Sequence, residues 1–439
     1  MHGVSSLPAR DAPTGRAWNM AGALIAAGVF LASYVSWRPA DILFTASDAM
    51  FVLGTGFLLA AHRAPLQPFG RATPWWLLAT TALLLGLFVG SIVNGDPDRW
   101  LIAGAQYGFS LVVLPLLLMS HDSDRTFKLM KALIAGVVAM EAFGVVVYFG
   151  LDLTYEEYSR FGHEFITGGE RLGAFLGDAN WNGAAIVMAA PFALYLRLRQ
   201  RIGLPVFCAI MAILLVGLFL AASVTGLTSG ILSILIFSIV GRVRPPYRFM
   251  LGAALAIGLL FASGYGLPHA FEKRIAPAIE EGDFAKAGTY VGRMELIREA
   301  WQIVEGTTFV GLGVDQYREV SVDKAPVHNL FLLLWAEGGL LALAGWITLL
   351  GIVAGVGFAA RRTDRLAAAL GLSVFSTFVI YSSAAPHMYA RLWMVPLLLA
   401  MAPAFVINAA KAPRKKRPSA DRGRIRASRG RWTWARRTG

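Results

Sequence analysis

The chain contains one cysteine, Cys208, so no disulfide can form within it and a cysteine-based metal site has too few ligands. Charge is scarce as well. Asp, Glu, Lys and Arg make up 15% of the residues, against about a quarter in soluble domains. Short runs of alternating polarity are missing, which argues against a membrane barrel, since a barrel strand must alternate its two faces. What remains is apolar material, 56% of 439 residues, arranged in long continuous stretches. Backbone groups in lipid must be satisfied internally, so such stretches become helices.

A spanning helix needs about 20 mostly apolar residues. Suitable runs fall at roughly 17–37, 41–61, 74–94, 100–120, 132–150, 180–197, 203–222, 226–241, 249–267, 327–356, 367–384 and 390–410. The 327–356 run is long enough to begin as a helix outside the membrane. The first run lacks a small-residue cleavage site and is read as a retained anchor. The expectation is an all-α polytopic membrane protein with about 12 transmembrane helices and a large, partly helical periplasmic loop. Residues 1–16 form a cytoplasmic N-terminal segment and 17–410 the bundle, with periplasmic loops at about 151–179 and 268–326. Residues 411–439 are read as a basic, disordered cytoplasmic tail.

Orientation follows from Lys and Arg, which cytoplasmic loops retain. Arg63 with Arg71, Arg125 with Lys128 and Lys131, Arg197 with Arg199 and Arg201, Arg242 with Arg244 and Arg248, and Arg361 with Arg362 and Arg365 share one side with both termini. That side is read as cytoplasmic, in a bacterial inner membrane. The formal charge of +13 comes from these loops and from the tail beginning at Lys411. Such charge is held at anionic headgroups of membrane lipids and implies no nucleic-acid partner.

Some motifs reduce to architecture. Asp122-Ser-Asp124 resembles a metal-binding pair but reads better as a solvated turn before a helix. Gly351 and Gly355 have the spacing that lets helices approach closely. Asp41 and Asp48, two turns apart, would face each other along a proton path, because acids inside membranes are costly and often functional.

The outer loops hold more chemistry. Residues 292–306 place Ile297, Ala300, Trp301 and Val304 at helical spacing, with Thr289 as a cap and Gly306 as a stop. This amphipathic helix either covers the bundle or lies on the outer interface. A glycine turn, Phe309-Val-Gly-Leu-Gly313, follows. Pro326 then suits the first turn of the tenth span, which would put His328 and Asn329 in that turn. Arg171 precedes Asp178-Ala-Asn180 at the mouth of the sixth span, and Arg293 and Arg298 lie on the amphipathic helix. Guanidinium groups grip phosphate in a bidentate manner, and helix N-termini favour anions. Together these would hold a lipid diphosphate without a metal or cofactor. A histidine at a helix N-terminus near arginines is held neutral, as a general base must be to take a proton from an attacking hydroxyl. The plainer alternative is that His328 only caps its helix.

Gly292-Arg293 with Trp301, Phe309-Val-Gly-Leu-Gly313, and His328-Asn329-Leu-Phe with Ala336-Glu337-Gly338 and Leu340 resemble, in order and spacing, the O-antigen ligase and polymerase superfamily of bacterial envelopes. Arg171 through Asn180 resembles the family's arginine and Asp-Pro-Asn-like turn, with Ala179 in place of proline. The resemblance implies metal-independent transfer of a glycan from undecaprenyl diphosphate to a hydroxyl of lipid A-core or another acceptor. His328 would be catalytic, and Arg293 and Arg171 would contact the diphosphate, with Asn180 and Asn329 supporting them. One departure stands out. Where relatives carry a Ser-Arg-Thr-Gly-like run, this chain has Ser223-Val224-Thr225-Gly226, and Arg298 or Arg391 would have to compensate. An O-antigen or exopolysaccharide polymerase, and a transporter of lipid-linked sugars, are the alternative functions.

Overall fold

With no water in hydrocarbon to pair with the backbone, each apolar run closes its own hydrogen bonds as a helix. The computed structural model describes residues 16–37, 44–61, 65–119, 122–151, 153, 155–162, 164–244 and 290–411. Its helices are α1 (Arg16–Phe30), α2 (Ala46–Ala60), α3 (Thr73–Val93), α4 (Pro97–Gly108), α5 (Leu114–Leu118), α6 (Ser123–Gly150), α7 (Tyr155–Tyr158), α8 (Ala179–Leu198), α9 (Leu204–Ala221), α10 (Val224–Gly241), α11 (Tyr290–Gly306), α12 (Gln316–Val320), α13 (Leu330–Ala360), α14 (Arg365–Ser382) and α15 (Arg391–Lys411). Among the described residues, eight helices are long and apolar enough to cross a membrane, and three shorter apolar ones accompany them. The protein is an all-α polytopic membrane protein. The predicted span 249–267, the tail 412–439 and the cap Thr289 lie outside the described residues. A two-residue antiparallel pair, β1 (Ile166–Thr167) with β2 (Arg171–Leu172), is a small addition to the expected helices.

Local chemistry sets the boundaries. α6 begins at Ser123 and not near 132, because Asp122 Oδ1 accepts the Asp124 N–H at 2.9 Å. The acidic pair there is a helix cap. Large apolar side chains such as Leu78, Val146, Phe149 and Ile239 point outward, as a lipid-facing surface requires.

Small residues let the helices approach. At Gly345 a Cβ would lie 2.6 Å from the Ala79 carbonyl oxygen, so α13 meets the α3 backbone there. Gly351 and Gly355 make no such approach among the described residues. A Cβ at either would meet nothing within 4 Å among the described residues. The close contact is made nearer the middle of α13, where α3 crosses it.

α13 is broken at Gly339, whose φ of 67° and ψ of −171° suit only glycine. The break frees carbonyls that an unbroken helix would use. Ala336 O accepts the Leu312 N–H at 2.8 Å and Glu337 O accepts that of Gly313 at 2.9 Å, while Leu340 N–H donates to Thr308 O at 2.9 Å. The Phe309–Gly313 turn is thereby laced into the helix. Gly311 must be glycine, since a Cβ would fall 2.2 Å from the Glu337 backbone.

A buried ion pair ties the N-terminal helices to the last one. Arg391, 6% exposed, donates through Nε to Asp48 Oδ1, with the Asp48 side chain 4% exposed. Its other nitrogens reach Ser110 Oγ at 2.6 Å, Tyr389 O at 2.8 Å and Gln106 Oε1 at 3.1 Å. A five-residue π turn, Phe109–Val113, presents Ser110 to it, and the guanidinium lies 4.4 Å from the Phe109 ring centre. Asp48 Oδ2 accepts from the Thr45 N–H and hydroxyl at 2.8 and 2.9 Å, closing a capping box on α2. Asp48 is therefore engaged with Arg391 and Thr45, while Asp41, the other member of the expected proton path, lies outside the described residues. Arg391 is equally unavailable to replace the missing arginine at Val224.

Removing one partner of a buried pair strands the other charge, at a cost of about 3–5 kcal/mol. Asp48→Ala and Arg391→Ala should each lower the melting temperature in detergent markedly, and Asp48→Ala with Arg391→Leu should recover part of the loss. Single variants that melt like wild type would show that the pair carries no stability.

Candidate functional site

α11 packs through Leu296, Ala300 and Val304 onto Tyr317, Val327, Leu332, Leu333 and Ala336. Tyr317 Oη donates to Leu296 O at 3.1 Å, and Glu299 accepts from Ser321 Oγ at 3.0 Å and Val322 N–H at 2.8 Å. The amphipathic helix thus covers the first half of α13. Its stripe is rotated from the one expected: Leu296 takes the buried place, and Trp301 is 49% exposed. Trp301 instead meets Trp335 edge-on, with ring centres 5.7 Å apart.

α13 starts later than Pro326 suggested. Asn329, in extended conformation, is its cap, and Asn329 Oδ1 accepts the Leu332 N–H at 3.1 Å. His328 therefore sits just before the helix and not in its first turn. The capping alternative for His328 falls to Asn329 instead.

His328 lines an open cavity of about 320 Å³ together with Ser36, Asp178, Asn180, Trp181, Thr225 and Tyr381. The cavity lies where α1, α8, α10, α13 and α14 have their ends on one face, so loops far apart in sequence converge on it. Asp178 Oδ1 accepts the N–H groups of Asn180 and Trp181 at 2.7 and 2.8 Å, so the α8 N-terminus is already capped by a carboxylate. Ser223 Oγ likewise accepts the Gly226 N–H at 3.1 Å. Anion binding by bare helix ends is thus not what these two termini offer.

Arg171 stands behind the cavity wall. It is 7% exposed, and it donates through Nε to Ala221 O and through Nη2 to Asn180 Oδ1, both at 2.9 Å. Asn180 Oδ1 also accepts from Ser223 Oγ at 3.2 Å. Arg171 therefore braces the same turn in which Val224 replaces the expected arginine. Arg298 is exposed on α11 and is not among the residues lining the cavity. Arg293 occupies the first turn of α11, and its side chain lies outside the described residues.

Three features escaped the sequence reading. Tyr381 is 1% exposed, and its Oη makes no hydrogen bond among the described residues although it borders the cavity. Glu141, fully buried, has Asn182 Nδ2 at 3.5 Å from Oε2, and its Oε1 has no partner among the described residues. A lone acid in the apolar run around Met140 was its visible signal. A second pocket of about 70 Å³ joins Arg99, Tyr107, Asp315, Glu337, His387 and Tyr389. Those residues come from four separate segments, and no spacing rule links them.

This fold and this cavity define a polytopic membrane protein with a polar site at one end of its bundle. A family model described as O-antigen ligase matches residues 209–347 of the 439. The stretch contains Arg293, the Phe309–Gly313 turn, His328 and the broken part of α13. Over that stretch the chain is similar to the O-antigen ligase family. Comparison with curated proteins gives no match.

Burial pushes the His387 imidazole down to about 4; Arg318 and His328 act in the same direction and Asp315 against it. A histidine with a depressed folded-state value is neutral in the native protein and binds a proton more readily when unfolded. Its stabilising contribution is complete above about 6.5 and is lost as pH falls towards about 4. Melting temperature in detergent should fall across that window, and His387→Gln should flatten the dependence. An unchanged slope in the variant would remove His387 as its source.

Proposed function

We propose that the protein is a glycosyltransferase of the O-antigen ligase type, moving a glycan from undecaprenyl diphosphate to a hydroxyl of lipid A-core or a similar acceptor on the periplasmic face. The observation that carries the reading is that His328, in the matched family region, borders one cavity with Asn180, the residue that holds Arg171. The acceptor oxygen attacks the anomeric carbon of the first sugar. A carbon–oxygen bond forms there as the bond to the diphosphate breaks, and undecaprenyl diphosphate departs with the bonding pair. His328 takes the hydroxyl proton. Arg293, and Arg171 if Asn180 turns aside, offset the charge of the leaving group, so the step needs no metal. Asn329 fixes the start of α13 and with it the position of His328. Tyr381 offers its hydroxyl to a sugar or an acceptor oxygen at the cavity wall.

The test is transfer by purified protein supplied with undecaprenyl-diphosphate-linked glycan and candidate acceptors. General acid–base contributions are about 10²–10⁴-fold, so His328→Ala should lose at least about a hundredfold in rate while keeping its melting temperature. Arg293→Ala should also lose transfer, and chelator should leave wild type unaffected. Full turnover by His328→Ala would end the general-base role. If lipid-linked repeat units are the only acceptors used, the protein is a polymerase.

A further inference from the structure

At the end of the bundle opposite the cavity, four arginines surround one open pocket of about 650 Å³. Arg242 comes from the end of α10, Arg361 and Arg362 from the end of α13, and Arg365 from the start of α14. We propose that this pocket binds the phosphate of an anionic phospholipid headgroup from the leaflet on that side.

The first argument is charge balance. Three other arginines at this end have partners: Arg199 is bonded to Asp364, Arg201 lies 3.7 Å from Asp124, and Arg125 is 4.7 Å from the Trp18 ring centre. Asp364 is the acid nearest in sequence to the cluster, and it is committed twice over. One oxygen pairs with Arg199 and the other caps α14 through the N–H groups of Leu366 and Ala367 at 3.0 and 3.2 Å. Among the described residues, none of the four pocket arginines has a salt bridge to a carboxylate. The chain that continues from Arg244 offers no relief, since residues 245–271 contain neither Asp nor Glu. Four like charges around one pocket repel one another, and a phosphate satisfies them through charge-assisted bonds.

The second argument is conformational. Arg242 has φ of 52°, at the left-handed position that ends α10. Glycine is the ordinary occupant there, and a side chain with a Cβ is strained. The sequence places an arginine in that conformation, where its charge joins the pocket.

The third argument separates a lipid from free phosphate. The same pocket is lined by Ile239, 74% exposed, and Phe358, 56% exposed. Both lie on the bundle side of the arginines in their own helices. Apolar side chains directly beside an anion site suit a ligand whose phosphate continues into acyl chains. A free phosphate has no use for them.

The experiment is a titration of the full chain in neutral detergent with phosphatidylglycerol, phosphatidylcholine and inorganic phosphate, counting bound molecules by native mass spectrometry. Phosphatidylglycerol should bind well ahead of phosphatidylcholine, and millimolar phosphate should not displace it. Each arginine near a membrane surface adds about fivefold in affinity for anionic lipid, so Arg361→Gln with Arg362→Gln should weaken binding about 25-fold. Arg242→Gly makes a sharper demand. Glycine relieves the left-handed strain, so this variant should melt no lower than wild type, yet bind phosphatidylglycerol more weakly. Arg99→Gln with Arg318→Gln, at the other end of the bundle, should leave binding unchanged. Equal binding by the pocket variants would overturn the proposal, as would loss of binding on deleting residues 412–439 alone. Displacement by phosphate at matching concentration would make free phosphate the ligand and overturn it as well.

Discussion

The break at Gly339 is the constraint on which the cavity end of the molecule depends. A helix that turns left-handed at one residue loses its internal partners for the carbonyls just before it. Here those carbonyls face the Phe309–Gly313 turn, which supplies the missing N–H groups. The exchange fixes the turn against α13. α11 closes over the same segment with its own small core. His328 lies between these two anchored pieces, immediately ahead of the Asn329 cap, so its place is set by backbone bonding more than by its own side chain.

Two buried arginines brace different parts of the fold. Arg391 and Asp48 are enclosed, bonded on all sides, and join helices from opposite ends of the chain. Arg171 is almost as buried, and it donates to the Ala221 carbonyl and the Asn180 side-chain oxygen. Both were candidates on sequence; hydrogen bonding ties Arg391 to the N-terminal helices and Arg171 to the turn before α10.

The two ends of the bundle are chemically unlike. One end gathers a histidine, amides, hydroxyls and a capped carboxylate around a cavity fed by long loops. The other gathers arginines on short turns between helices that run straight into the apolar layer. α10, α13 and α14 connect the two ends directly, each contributing a residue to the polar cavity or its border and another to the basic pocket. The bundle therefore holds a polar cavity and a basic pocket at a separation set by helix length.

The helical class, the positions of most spans, and the motif joining Arg293, the glycine turn and His328 could be read from the chain, because lipid forces a one-dimensional pattern on its helices. The helix over 290–306 and the amphipathic logic of its packing were legible for the same reason. The start of α6 was displaced because a cap overrides hydropathy, and Gly351 and Gly355 meet no close neighbour among the described residues because spacing does not say which helix passes by. Tertiary structure alone decided that Asn329 and not His328 caps α13, that Asp48 belongs to Arg391, that Arg171 braces the turn containing Val224, and that Tyr381 reaches the cavity. Each of these joins residues through a hydrogen bond or a shared wall across helices. Such pairings depend on how the helices cross and on which lone pairs remain unclaimed, and a pattern along one strand of sequence carries neither.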